Sequence, residues 1–475
     1  MRIAGIYKTN RNVGSQLVRT GETPEGVDSV DWPLGLQIIL GIAKQEGHEI
    51  DLFLPNGSKD NGRLIQFNPD IVLYSCMTNQ FPFVLDFHNG LRGVKPNLVS
   101  VIGGYHPSAK PDVVKDGFNY AVIGEGEQTF RELLKGITSE NRDFSNISGI
   151  SFLRDGQLVV TPRRERISNL DDLPEPYIND SLLAQKSNYL GYPSQRIRVS
   201  GYSEFSRGCT FDCNFCASPN VLGRKLVYRS PEKVAKHWRE QYEKYGINDL
   251  FLTDLNPTLN PQKLERLSDA LIEEGINETV SWAFMSGFKN ITPTLLRKLS
   301  EGGSKFICWG LENVTQPSWI KDETRKLPSI EAMRETLSCS ESNGIMNEGF
   351  YIIGWPNETR QDLERAMETL PLLPLHMIRP SIYTPLPGAV NFDIAEKQGV
   401  LTETNFSKYD TQHLVFKHPN FSQGELEGLQ MEFLKRFYNH PTYKTRVSEF
   451  VRINPQYKEC FDDFLGIMQK YLKSV

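Results

Sequence analysis

The sequence predicts an α/β protein in three parts: an open, doubly wound, Rossmann-like parallel sheet, a partial (β/α)6 barrel, and a C-terminal helical region. Two observations carry this prediction. Short β-rich runs alternate with helix-length segments twice along the chain, on either side of an irregular connector, and beyond about Phe392 the strand signals stop. A third observation says where the chemistry lies: three of the seven cysteines fall within eight residues, directly after the first strand of the second alternation.

Taken in order, Arg2–Tyr7 reads as a strand and Pro33–Glu46 as a helix with one apolar face. Strands follow at Glu49–Leu54, Ile71–Ser75 and Leu98–Gly103, and Val122–Gly124 precedes an acidic stretch and a helix at Gln128–Leu134. These make a first domain, residues 1–140, whose ligand would sit on the loops beyond the strand ends. Residues 141–195 read as a hairpin and linker. Ile150–Pro162 is the hairpin, turned at Asp155-Gly156, and Asn169–Pro176, with two aspartates and two prolines, is the crossing between domains. The barrel, residues 196–390, has strands at Ile197–Phe205, Asp249–Thr253, Ser281–Met285, Phe306–Gly310, Gly349–Ile353 and Met377–Tyr383. Its helices are Pro231–Tyr245, Pro261–Glu274, Pro293–Ser300, Ile330–Ser342 and Thr359–Leu370. A barrel of this kind does its chemistry at the C-terminal mouth of the strands. Residues 391–475 are mostly helical, with Ser422 and Glu425 as a capping box for a helix running to about Tyr438. The aromatic side chains Phe433, Phe437, Tyr438 and Tyr443 fit helix-bundle core better than a cover over the barrel mouth.

Composition narrows the possibilities. At 475 residues and 39% hydrophobic content the chain is long enough for two or three cored domains. No apolar run approaches the length of a membrane span, and the N-terminus lacks the apolar region of a secretory signal. The net charge of −5 offers no general attraction to nucleic acid or anionic lipid. A cytoplasmic protein acting on a small molecule is expected, without nucleic-acid or membrane partners.

Cys76, Cys308, Cys339 and Cys460 are widely separated and read as buried small hydrophobes. Cys209, Cys213 and Cys216 are different: chance would produce such a triplet with an expectation on the order of 10⁻³. Thiolates are soft ligands for iron–sulfur clusters or zinc. A closed zinc site takes four protein ligands, whereas three cysteines at CxxxCxxC spacing with no fourth nearby leave one iron of a [4Fe–4S] cluster open. The cluster is the favoured reading over zinc.

The segment Ser206-Arg-Gly-Cys-Thr-Phe-Asp-Cys-Asn-Phe-Cys-Ala-Ser-Pro219 resembles the hallmark of the radical S-adenosylmethionine (SAM) superfamily, and the resemblance runs from about Ile197 to Pro387. Phe215 occupies the aromatic position before the last cysteine. Gly310-Leu-Glu312-Asn resembles the family's mid-barrel Gly-Ile-Glu-Ser segment, Gly349–Thr359 its adenine-binding segment, and Thr384–Gly388 its turn after the sixth strand. The resemblance implies SAM chelated to the open iron, and reductive cleavage to a 5′-deoxyadenosyl radical that abstracts a substrate hydrogen. An external one-electron reductant such as flavodoxin or ferredoxin would supply the electron. The SAM contacts it implies are Phe215, Asp254, Ser286, Glu312, Gly354 and Pro356, with Lys289 a weaker candidate. Leu255 stands where the family has a second acid beside Asp254. Turn-capping is the alternative for Asp254 and Glu358.

The first domain resembles the cobalamin-binding domain of the class B radical SAM methyltransferases. The pieces that match are Pro33-Leu-Gly35, Gly47–Asp51, Pro69-Asp70, Ser75–Thr78, Gly103-Gly-Tyr-His-Pro107 and Gly124-Glu-Gly-Glu127. The resemblance implies cobalamin contacts at Ser75, Thr78, Gly103, Gly104, His106 and Glu125, with the two glycines admitting a planar ligand to the backbone. Phe53 stands where cobalt-ligating relatives carry histidine, so a base-displaced cobalamin without a histidine ligand is expected. For His106, local hydrogen bonding is favoured over cobalt coordination. Glutamates at 125 and 127 would repel a pyrophosphate, and the G-x-G-x-x-G pattern is missing, which excludes nicotinamide binding.

The function this implies is a cobalamin-dependent radical SAM methyltransferase acting on an unactivated carbon. One SAM would remethylate cobalt and a second would generate the radical. The rivals are a cyclisation, ring contraction or other rearrangement on the same architecture, and a non-catalytic metal- or cobalamin-binding protein. No motif identifies a catalytic side chain, the substrate or the oligomeric state.

Overall fold

The computed structural model describes residues 1–8, 32–55, 58–139, 143–183, 199–324 and 327–474. The start of the predicted strand Ile197–Phe205, the end of the connector and the side chain of Cys460 lie outside the described residues.

Five parallel strands form the first domain: β1 (Arg2–Ile6), β2 (Glu49–Phe53), β3 (Ile71–Ser75), β4 (Val99–Gly103) and β5 (Tyr120–Val122), in the spatial order β2-β1-β3-β4-β5. The chain steps from β1 to one side and then returns to the other, so the strand order reverses between β1 and β3. That is the position at which open α/β sheets bind ligands, outside the strands' carboxyl ends. Helices Leu34–Gln45 and Glu127–Thr138 cover one face through Leu36, Leu40, Phe130 and Leu133, and helix Phe81–Val94 covers the other through Phe81 and Val84. Both faces being covered explains why these strands read as unbroken apolar runs. β5 ends two residues earlier than predicted, because Gly124 has φ 80°, which no strand accommodates.

The predicted hairpin is present as β6 (Ile150–Arg154) and β7 (Gln157–Val160). Asp155 and Gly156 both have positive φ, 50° and 77°, as a two-residue type I′ turn requires. The sequence grouped this hairpin with the linker, but in the structure it joins the first sheet. β6 pairs antiparallel with β5 and extends the first sheet to seven strands. The physical reason is the otherwise bare edge of β5, which Ile150 and Phe152 close with buried side chains.

The second domain begins with β8 (Val199–Ser203), then a small antiparallel ladder of β9 (Ser206–Arg207) with β10 (Val227–Tyr228). The barrel strands continue as β11 (Ile247–Leu252), β12 (Ser281–Ser286), β13 (Ser304–Glu312), β14 (Met346–Ile353) and β15 (Met377–Ile382). They lie in sequential order from β8 to β15, all parallel, as an open six-stranded barrel wall. The intervening helices start where local chemistry says they should. Pro231, Pro261 and Pro293 occupy first helical positions, and Asn260, Thr292, Ser329 and Thr359 cap with their side chains.

The tail helix Gln423–Asn439 begins with the expected Ser422–Glu425 capping box. It packs against β14 and β15: Phe433 stacks on Tyr351 at 5.5 Å, and the Tyr438 hydroxyl accepts from Ile378 N at 3.3 Å. Phe433, Phe437, Tyr438 and Tyr443 are all buried core. Among the described residues no helix is long and apolar enough to cross a membrane.

Candidate functional site

The three clustered cysteines lie on an irregular, partly exposed loop running out of β9. Its entry is fixed by Gly208, at φ 105°, where a Cβ would collide with the Lys225 carbonyl, so glycine is obligatory in the Ser-Arg-Gly-Cys run. Cys209 N donates to Gly223 O at 3.1 Å and Asn214 N to Glu323 O at 3.1 Å, tying the loop to its surroundings. The Cys213 thiol is 3.3 Å from Thr324 Oγ1. Among the described residues no three Cys, His, Asp or Glu side chains are drawn close enough to hold one metal ion. Three free, partly exposed thiols on one loop are soft ligands of the kind that hold a polynuclear cluster with an open corner.

Asp254, just past β11, is buried beneath that loop. Its Oδ1 accepts from Phe205 N at 2.9 Å, and its Oδ2 from Ser206 N and Ser206 Oγ, both at 2.5 Å. Burial pushes its carboxyl up to about 7 in spite of these bonds. Asp254 therefore positions the chain entering the cysteine loop, and both its oxygens are occupied in doing so.

Phe215 meets the ring of Trp355 edge-on at 5.2 Å, joining the cysteine loop to the Gly354-Trp-Pro356 turn. Glu358 builds that turn. Its Oε2 accepts from Gly354 N (2.6 Å) and Trp355 N (3.3 Å), and its Oε1 from Asn313 Nδ2 (2.9 Å). Burial raises its carboxyl to about 8. The bond to Asn313 links the turn to Glu312, which is buried and held at φ 54° where the β13–β14 register shifts. A non-glycine residue in the left-handed region is strained, and such strain gathers at functional sites. Gly354 has φ 75°, and a Cβ there would come within 2.8 Å of Leu426 Cδ1, so its missing side chain makes room for the tail helix. Pro356 is partly exposed beside it. Ser286 is spent on a buried network with Thr258 Oγ1 (2.8 Å), Asn256 Oδ1 (3.2 Å) and Gly287 O (2.7 Å). Lys289 is exposed, with its ammonium 5.8 Å from the Phe211 ring in the cysteine loop.

At the carboxyl ends of β3, β4 and β5 a cleft of about 330 Å³ opens between the two domains. That falls within the ~300–1,000 Å³ of a pocket for an organic ligand. Ser75, Gly103, Gly104 and Glu125 line it, as the sequence suggested, against apolar walls that include Leu34, Ile38 and Val122. The two glycines differ. A Cβ on Gly103 would meet nothing closer than 3.8 Å, whereas on Gly104, at φ 105°, it would fall 2.8 Å from Cys76 O. Gly103 keeps the cleft open, and Gly104 is required by the fold.

Thr78 and His106 do not line this cleft, contrary to expectation. The chain turns away at Thr78–Gln80, and His106 Nδ1 pairs with Thr78 Oγ1 at 3.3 Å while its ring stacks on Phe81 at 4.3 Å. Burial lowers the imidazole to about 4, so it stays neutral in the core.

What joins cleft to cysteine loop has no local signature in the sequence. Arg207, two residues before Cys209 and 5% exposed, crosses the domain boundary. It meets Glu204 (2.8 Å), Glu127 (2.9 Å) and Glu125 (3.2 Å). Although burial disfavours its charge, the three carboxylates hold it well above the ordinary arginine value. Glu125 also takes Ile167 N at 2.8 Å and Arg166 at 3.3 Å. Tyr105, on the cleft wall, bonds Ser218 beside Cys216, and burial raises its phenol to about 12. A ligand filling the cleft would thus lie one side chain from the cysteine loop.

Residues 29–134 match the B12 binding domain and residues 203–370 the radical SAM superfamily. An uncharacterized methyltransferase of Pyrococcus horikoshii is 27% identical over 86% of this chain and 88% of its own length. The anaerobic magnesium-protoporphyrin IX monomethyl ester cyclase of Rubrivivax gelatinosus is 25% identical over 93% and 78%. Among solved structures, TsrM of Kitasatospora setae, a radical S-adenosylmethionine methyltransferase with cobalamin and a [4Fe–4S] cluster bound, superposes with a TM-score of 0.69. It is 16% identical, with all of both chains covered.

Proposed function

We propose that this chain, which belongs to the cobalamin-binding radical SAM enzymes, is a methyltransferase acting on an unactivated carbon of a small molecule. The observation that carries the proposal is the shared wall of the two sites. Arg207 and Tyr105 connect the cleft of the B12-binding domain to the loop bearing Cys209, Cys213 and Cys216. When bound, the cluster and SAM supply a 5′-deoxyadenosyl radical and cobalamin supplies the methyl group. Cys209, Cys213 and Cys216 would hold the cluster. Asp254 sets the loop's entry, and Phe215 with the Glu358-built turn flanks the place where SAM would bind. Ser75, Gly103, Glu125 and Glu127 would face the corrin, with no histidine at cobalt, since Phe53 is buried and His106 is committed to Thr78. The electron would come from a flavodoxin- or ferredoxin-class carrier in the cytoplasm.

The cyclase of Rubrivivax gelatinosus supports a second reading, rearrangement or ring formation without net methylation. Product mass separates the two. Incubation with methyl-labelled SAM, reductant and a candidate substrate should yield 5′-deoxyadenosine and a product heavier by one methyl group. Release of 5′-deoxyadenosine with a product that gains no label would favour the second reading.

A further inference from the structure

Glu127 is 6% exposed and lines the interdomain cleft. Its Oε1 receives Arg207 at 2.9 Å, but its Oε2 is buried with no hydrogen-bond partner among the described residues. A buried carboxylate oxygen without a donor is costly, and the helix N-terminus on which Glu127 sits stabilises its charge without satisfying that oxygen. The surrounding charge does not satisfy it either. Arg207 is divided among Glu125, Glu127 and Glu204, and Arg166 adds one guanidinium at Glu125. Among the described residues three carboxylates thus face two cations, and the excess is negative. Across the same cleft Trp32, 5% exposed, has an indole N–H that also lacks a partner among the described residues. An unspent acceptor and an unspent donor on one apolar cleft ask for a ligand that carries both, and an excess of negative charge asks that it not be an anion. A primary amide meets both conditions.

We propose that Glu127 is a corrinoid-recognition residue, whose Oε2 accepts an N–H from one of the primary amides on the corrin rim and so selects amidated corrinoids over their carboxylate counterparts. The inference rests on the cleft being the corrinoid site. Trp32 serves a carbonyl oxygen of the same rim. Replacing the amides by carboxylates would remove the donor and set an anion against Glu127.

The test uses cobyric acid, whose side chains are amides save one, and cobyrinic acid, the same ring with carboxylates throughout. Dissociation constants are measured by visible absorbance on the anaerobic, cluster-loaded chain, with iron content and melting curve as controls for folding. The wild type should bind cobyric acid at least about tenfold more tightly, the scale of one charge-assisted hydrogen bond. Glu127→Gln, which keeps the side chain's shape, should lower that ratio by about tenfold. Trp32→Phe should weaken both ligands alike and leave the ratio standing, because an indole N–H serves either oxygen. A wild-type ratio near one, or a ratio unmoved in an iron-replete Glu127→Gln, would overturn the assignment. An iron-replete wild type that binds neither ring would overturn the corrinoid reading of the cleft as well.

Discussion

Buried carboxylates at the barrel mouth and at the domain boundary are used in opposite ways. Asp254 and Glu358 give every oxygen to donors of their own chain, and in return fix the entry to the cysteine loop and the Gly354–Pro356 turn. Glu127 shares one oxygen with an overcommitted arginine and leaves the other buried without a donor among the described residues, beside the cleft that its side chain lines. Similar burial therefore marks scaffold in one region and a waiting ligand site in the other. The distinction lies in whether the lone pairs are spent.

The comparison is sharpened first by the cysteines. Cys209→Ala, Cys213→Ala and Cys216→Ala should each abolish the cluster and SAM cleavage. Cys76→Ala, Cys308→Ala, Cys339→Ala and Cys460→Ala should retain iron, with Cys76→Ala and Cys308→Ala losing some stability because those side chains are buried. Iron and sulfide analysis gives the reading, and loss of the cluster in any of the latter four would reveal a fourth protein ligand. Next in size is Gly104→Val. It adds a left-handed β-branched residue and a clash with the Cys76 backbone, and should destabilise the first domain by about 3 kcal/mol or more, read from denaturant melts.

A smaller effect concerns pH. Asp254 and Glu358 would ionise near 4 in the unfolded chain but at about 7 and about 8 when folded. Their protonated forms therefore contribute stability that is complete below pH ~4 and is lost as pH rises through 7 and then 8. The loss is up to about 1.4 kcal/mol per pH unit for each group. The melting temperature of the anaerobic protein should fall between pH 6 and 8.5, and more shallowly in Glu358→Gln. A rising melting temperature across that window would contradict the burial argument. The smallest expected effect is none at all. His106→Gln should leave the paramagnetic resonance of the cob(II)alamin form unchanged, whereas a nitrogen splitting that vanishes in the variant would place His106 on cobalt.

Much of the architecture was legible because its signals are local. Parallel strands covered on both faces leave apolar runs such as Ile71–Ser75, and Pro231, Pro261 and Thr359 mark helix starts within a residue. The cysteine loop was legible for the same reason, its donors lying within eight residues. The hairpin's partner was not, since pairing of β6 with β5 depends on an edge that only the folded sheet has. Thr78 and His106 misled because a loop residue after a strand can turn toward or away from the cleft, and here Phe81 and Phe406 draw the imidazole into the core. The Glu125–Glu127 pair reads in the sequence as an unbalanced negative charge, but its cation, Arg207, lies 82 residues beyond Glu125 in another domain. The Arg-Gly-Cys run held that arginine in plain view, and nothing in the sequence tied it to the glutamates.

The central claim is that the interdomain cleft receives the corrinoid independently of the cluster, and Gly103→Val tests it most directly. Gly103 ends β4, its added Cβ meets no atom of the protein closer than 3.8 Å, and its backbone requires no left-handed φ, so the variant should fold and leave valine on the cleft wall. Purified anaerobically and reconstituted, the wild type should carry one corrinoid and a full cluster. The variant should carry the full cluster and at least about tenfold less corrinoid. A variant that takes up corrinoid as well as the wild type would place the corrin elsewhere and contradict the account.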